Sequence, residues 1–120
     1  MNYNQMKNLL MTVDNPVERL ELMMDFGREL QKIPDGADCV EILGCASFVQ
    51  ICQKNGAFYA CADSDIVRGI VAIVLAMIDG KNIDEIKQMD IIAEFKSLNI
   101  NLGAGRLNGL NSIADFFKKL

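Results

Sequence analysis

Cys45 is the residue whose surroundings invite chemistry. It sits in Leu43-Gly44-Cys45-Ala46-Ser47, with a glycine before it and two small residues after it. Such a run reads as a tight turn, and a turn carries the sulfur at a loop tip with little bulk around it. A thiol that must meet a sulfur on another protein needs that access, since exchange at sulfur depends on which atom can be reached. The reactive form is the thiolate, and the chemistry it offers is nucleophilic attack. A plainer alternative stands beside this one. Free cysteine is among the most buried residue types, and Cys45 can equally be a small core side chain.

The chain has four cysteines and no histidine. Without histidine there is no Ser-His-Asp triad, no Cys-His pair and no imidazole ligand for a metal. Cys39, Cys52 and Cys61 fall inside strand-like runs and read as small hydrophobes of a sheet. A metal or cluster site built from them with Cys45 is the competing reading; no C-x-x-C spacing supports it. Asp63-Ser64-Asp65 reads as a helix cap that could also hold a partner. Arg106 and Asn108 open the last helical segment, where the plain expectation is exposure to solvent.

The elements that must position these groups follow from periodicity and punctuation. Asn15 ahead of Pro16 marks a helix start, and Leu20, Met23, Met24, Gly27 and Leu30 recur at helical spacing. Pro34-Asp35-Gly36 breaks the chain. Cys39 to Leu43 reads as a strand, and Phe48 to Cys52 as a second. Asn55-Gly56 is a hairpin signal, which makes Ala57 to Ala62 a third strand, antiparallel to the second. Ile66 to Ile78 is apolar almost all round and predicts a central buried helix, ended by Gly80 in the left-handed conformation. Asn82-Ile83-Asp84-Glu85 resembles a capping box. Ile91 to Leu98 predicts another helix, and Leu107, Leu110, Ile113, Phe117 and Leu120 predict a last amphipathic one. Helices, then a three-stranded meander, then helices make an α+β domain spanning residues 1–120, with helices packed on a small antiparallel sheet.

In such a meander the Cys45 turn ends strand one, the Asn55-Gly56 turn lies at the opposite end, and strand three returns. Topology therefore brings Asp63 to the end of the sheet that holds Cys45.

Composition narrows the function classes. The chain has 120 residues, 51% hydrophobic and 23% charged, with a net charge of −4. That suits one soluble globular domain. No basic block appears, so nucleic acid is not an expected partner. The apolar run Ile70 to Ile78 is far too short to cross a bilayer. The polar start, Met1-Asn2-Tyr3-Asn4-Gln5, does not read as a secretory signal. The expected setting is the cytoplasm, where cysteines are kept as thiols rather than disulfides.

Taken in order, the motifs resemble the SufE/CsdE family of sulfur acceptors that work with PLP-dependent cysteine desulfurases. The resemblance runs from about Pro16 to the C-terminus. Met23-Met24-Asp25-Phe26-Gly27-Arg28-Glu29-Leu30 is similar to the family's leading helix. Leu43-Gly44-Cys45-Ala46-Ser47-Phe48-Val49 is similar to its V-x-G-C-x-S-x-V-W segment. Ala62-Asp63-Ser64-Asp65-Ile66-Val67-Arg68-Gly69-Ile70 is similar to its D-S-x-A-x-I-V-K/R-G-L segment, and Gly105-Arg106-Leu107-Asn108-Gly109-Leu110 to its S-R-x-N/Q-G-L segment. Gln50 stands where the family has tryptophan, Asn101 replaces a histidine, and Gly105 replaces a serine.

The resemblance implies a fold shared with the IscU-type cluster scaffolds. It implies that Cys45 accepts persulfide sulfur and that the chain is a carrier and activator of a desulfurase rather than an enzyme. Gly44, Ser47, Asp63, Ser64, Arg68, Arg106 and Asn108 are then the expected partner-binding residues. The chain needs no metal or cofactor of its own, since PLP belongs to the desulfurase. Its expected partners are a cysteine desulfurase and iron–sulfur scaffold proteins, with no membrane. The alternative function is an iron–sulfur scaffold or metal-binding protein of related fold.

Overall fold

The computed structural model describes residues 1–120. Six helices surround a three-stranded antiparallel sheet whose strands lie in chain order. The elements are α1 (Tyr3–Met11), α2 (Pro16–Gly27), β1 (Asp38–Glu41), β2 (Val49–Lys54), β3 (Ala57–Ala62), α3 (Asp65–Ile78), α4 (Ile83–Gln88), α5 (Ile91–Lys96) and α6 (Ala104–Lys118). This is the expected α+β arrangement. No helix is long and apolar enough to cross a membrane.

The caps fall where the residue types require. Asn15 accepts hydrogen bonds from the Val17 and Glu18 amides ahead of α2, and Pro16 occupies the first turn. Ser64 caps α3. Asn82 and Glu85 form a reciprocal capping box on α4. Asn55 and Gly56 both have positive φ, as a type I′ hairpin turn demands, and Gly80 has φ 77° after α3.

One helix escaped the sequence reading. The polar opening residues form α1, started by an Asn2–Gln5 capping box. Only Met6 and Leu10 of α1 are buried, too sparse a pattern to announce a helix. Tertiary contact completes it: the Tyr3 hydroxyl donates to Glu94 of α5 at 2.6 Å.

Helix α3 is the axis of the core. Gly69 through Val74, Met77 and Ile78 are all buried, and α1, α2, β3, α5 and α6 pack around it. Its tightest neighbour is α2. A Cβ on Gly27 would stand 2.7 Å from the Gly69 nitrogen, and one on Gly69 would strike the Met23 carbonyl oxygen. Two glycines face to face let the backbones touch. α2 ends at Gly27, short of the expected Leu30. The chain turns there, and Leu30 packs on the core from outside the helix.

In the sheet, Val49 and Ile51 of β2 and Ala60 and Ala62 of β3 face the helices. Cys39, Cys52 and Cys61 alternate with the core-facing positions, on the opposite face. Here the expectation of free strand thiols is corrected. Cys39 is exposed rather than buried, and it is disulfide-bonded to Cys52, which is fully buried. Cys61 is free and half-buried, its thiol donating to the Gln50 side-chain oxygen at 3.4 Å. The cause is register. Cys39 and Cys52 stand directly opposite each other, Cα atoms 4.0 Å apart. A one-residue slip would have sent their side chains to opposite faces.

The α2–α3 crossing yields a test. Gly69→Ala gains about 1 kcal/mol in helix propensity, yet its methyl must displace backbone, and such overpacking costs about 1–3 kcal/mol. The expected outcome is a net loss, seen as a lower urea midpoint with an unchanged slope. A midpoint at or above that of the parent protein would contradict the close approach.

Candidate functional site

The loop Leu43–Phe48 is pinned at both ends. The Ile42 amide donates to the Val49 carbonyl at 2.8 Å, closing its base. The Asp63 amide donates to the Phe48 carbonyl at 3.2 Å, tying the second leg to the end of β3. Asp63 therefore does lie at the Cys45 end of the sheet, as the meander requires.

Gly44 has φ 91°, a conformation that side chains disfavour. A Cβ there would also come within 2.5 Å of the Ser112 hydroxyl oxygen. The turn at Gly44 lays the loop against α6. Cys45 then rests on Gly109, with its Sγ 3.8 Å from the Gly109 carbonyl oxygen. A methyl at position 109 would stand 3.6 Å from that sulfur, in contact but without clash, and any larger side chain would dislodge it. Arg106, Gly109 and Ser112 recur at i, i+3, i+6, so they share one face of α6. Arg106 is thus one turn from the cysteine's seat.

Burial pushes the Cys45 thiol above its ordinary pKa. Neither Arg68 nor Arg106 is bonded to it. Arg68 donates through Nε to the Ala62 carbonyl at 2.7 Å and pairs with Asp65 at 3.5 Å. Arg106 donates to the Leu102 carbonyl at 3.3 Å. Burial in the docked loop therefore favours the protonated form of Cys45.

Among the other expected residues, Ser64 is the α3 cap, accepting from the Val67 amide at 3.4 Å. Ser47 is half-buried in the loop, and Asp63, Arg106 and Asn108 are exposed. The structure thus gathers Gly44, Cys45, Ser47, Asp63 and Ser64 at one end of the sheet, while Arg68 is occupied in holding the Ala62 carbonyl at the end of β3 and the Asp65 carboxylate.

Two features were not found by sequence reasoning. Ser112 joins Gly109, of the segment that resembles the family's last motif, in forming the seat of the thiol; the three-residue spacing of these two small residues on an amphipathic helix was the available signal. Leu43 and Phe48 flank Cys45 with unusual exposure, Leu43 at 79%. A strand reading had placed both inside the sheet. No three Cys, Asp or Glu side chains converge in a way that could hold a metal ion. A cleft of about 280 Å³ beside Gly56 and Phe26 includes no residue of the Cys45 loop.

Residues 4–120 match the family model for SufE, the Fe-S metabolism associated domain. The chain belongs to the SufE family. It is 30% identical over 107 residues to the sulfur acceptor protein CsdE of Escherichia coli, covering 82% of this chain and 73% of that protein. It is 33% identical over 112 residues to a SufE-like protein of Haemophilus influenzae, covering 86% and 89%. It is 28% identical over 115 residues to the cysteine desulfuration protein SufE of Wigglesworthia glossinidia brevipalpis, covering 88% and 80%. Within this SufE-family chain, three of the four resembling segments meet in one region: Gly44-Cys45 docks on Gly109, and Asp63 ties to Phe48.

The raised pKa fixes the sign of a pH dependence. A thiol that binds its proton more tightly when docked favours the docked loop below the ordinary cysteine pKa, and that preference fades as pH rises through the raised value. The rate of Cys45 alkylation by iodoacetamide should therefore rise with a midpoint above about 8.5, the value for an unperturbed cysteine. A midpoint at or below that of a peptide containing the same loop would refute the sheltering.

Proposed function

We propose that Cys45 accepts sulfur from a persulfide on a PLP-dependent cysteine desulfurase, and that the chain stimulates that enzyme and passes the sulfur on for iron–sulfur cluster assembly. The observation that carries this reading is the placement of the one loop cysteine. It is neither locked in the core nor left open to solvent, but seated on a glycine in a loop that leads with exposed apolar side chains. Membership of the SufE family and the likeness to a protein named as a sulfur acceptor support the same reading.

The reaction is transpersulfidation. The Cys45 thiolate attacks the outer sulfur of the desulfurase persulfide. The S–S bond breaks, the desulfurase cysteine leaves as a thiolate, and Cys45 becomes the persulfide. No electrons are gained or lost overall. The proton on Cys45 must go first, and the seated position opposes its loss. Activation therefore requires the loop to leave Gly109 and meet solvent or the partner. Leu43 and Phe48, exposed beside Cys45, give a docking enzyme apolar surface to hold while the loop moves. After transfer, the same seat shelters a persulfide, which is more easily oxidised than a thiol, until an acceptor takes the sulfur. In this reading the chain is a carrier with no cofactor of its own, and it works in the cytoplasm beside its desulfurase.

Intact-mass measurement after incubation with a cysteine desulfurase, PLP and free cysteine tests the assignment. The protein should gain one sulfur atom, removable by reductant. Cys45→Ser should abolish the gain while leaving the thermal unfolding curve in place. A Cys45→Ser protein that loads as well as the parent would sink it.

The docking surface is proposed to include Gly44, Ser47, Asp63, Ser64, Arg68, Arg106 and Asn108. Charge reversal at Asp63 or Arg106 should slow loading by lowering the association rate, with the effect shrinking at high salt. Alkylation of Cys45 by small reagents should be unaffected. If loading at low salt is unchanged in both variants, the enzyme docks elsewhere.

A further inference from the structure

The Cys39–Cys52 disulfide takes no part in the acceptor chemistry, yet it stands on the strand that leads into the acceptor loop. We propose that it is a redox-sensitive latch on that loop, opened by a low-molecular-weight thiol or a dithiol protein that exchanges at the exposed Cys39 sulfur. The proposal rests on the reading of Cys45 as the acceptor only for its consequence, the control of sulfur transfer.

The two sulfurs differ in access. Cys52 is fully buried, whereas Cys39 is exposed. An incoming thiolate therefore reaches Cys39, forms a mixed disulfide there and expels Cys52, which takes up a proton. A second thiol attacks the reductant's sulfur in that mixed disulfide. Cys39 leaves as a thiol, and the two reductant sulfurs end as a disulfide. Two electrons have passed from the reductant to the Cys39–Cys52 bond.

The leverage comes from where the bond lies. β1 is an edge strand, all of whose residues are exposed, and it rests mainly on β2. The Ile42 amide bonds to Val49, which marks Ile42–Val49 as a hydrogen-bonded pair. Antiparallel alternation then makes Val40–Ile51 another and leaves Cys39–Cys52 without ladder bonds of its own. The disulfide thus supplies the attachment at a rung the backbone leaves open. The other side of the loop needs no such help. Val49 and Ile51 are buried in the core, β2 is also paired to β3, and Phe48 is held by Asp63. The leg from Cys39 to Gly44 has a single buried anchor, Ile42, between the exposed β1 residues and the Gly44 turn, so its hold depends in part on how firmly β1 is held. An edge strand with little buried surface belongs to the low-stability end of local opening. With the latch closed, the Gly44 turn is held against Ser112 and Cys45 on Gly109. With it open, β1 frays more often, and the loop leaves its seat more often.

The test compares wild-type protein prepared under air with protein treated with a phosphine reductant that is then removed. Each is alkylated with iodoacetamide and mapped by peptide mass, and hydrogen exchange is followed in parallel. Without reductant, Cys45 and Cys61 should label while Cys39 and Cys52 do not. After reduction, Cys39 becomes reactive. Cys45 should then label several-fold faster, and amides from Cys39 to Ser47 should exchange several-fold faster, with α3 unchanged. Cys39→Ser, a change at an exposed position, should match the reduced protein in both preparations. Equal Cys45 rates and equal exchange before and after reduction would overturn the proposal, as would labelling of all four cysteines in the air-prepared protein. These readouts need no desulfurase. A Cys45 that fails to accept sulfur in either state would leave them unchanged and would count against the acceptor reading alone.

Discussion

Helix α3 is apolar on nearly every side, and it can be used that way only because Gly69 and Gly27 let α2 come to backbone contact. Burying a helix all round requires neighbours on all sides, and the missing side chains make room for the nearest of them. With that contact made, β3 and α6 also pack against α3. The position of α6 is what brings Gly109 and Ser112 to the loop that carries Cys45. The seat of the thiol is thus a consequence of how tightly two other helices cross.

A nucleophile that must also be protected sets opposing demands on one side chain. Access favours a loop tip, and protection favours burial. The loop combines the two by being pinned at its base, through Ile42 and Val49, while the tip that carries Cys45 rests on α6. Burial raises the thiol's pKa in the seated position, so the protonated and sheltered states coincide. In the proposed role, reactivity then depends on whether the loop is seated. No neighbouring cation is bonded to the sulfur to tune it in place: Arg68 and Arg106 both spend donors on backbone carbonyls.

Much of the fold was legible because local chemistry specifies it. Asn15-Pro16, Ser64, Asn82-Glu85, Asn55-Gly56 and Gly80 each act through their own backbone, and each appears where its residue type predicts. The limits of the apolar run Ile66 to Ile78 are likewise local. What stayed hidden was non-local. α1 carries too few buried residues to announce itself, and it is fixed by Tyr3 reaching Glu94 far along the chain. Leu43 looks like a strand residue, but the chain has already left β1 at Glu41, and the side chain is exposed.

The sequence by itself determined that Cys45 lies in a small-residue turn between strands, that Asp63 returns to the same end of the sheet, and that the family's motifs follow in order. Each of these needs only residue type, spacing and the reversal of direction at a hairpin. Tertiary structure alone decided that Cys45 is seated on Gly109, that the arginines are engaged elsewhere, and that Cys39 is bonded to Cys52. The reason is register and packing. Which residues stand opposite each other, and which helix face meets a loop, depend on distances across the core that no run of neighbouring residues encodes.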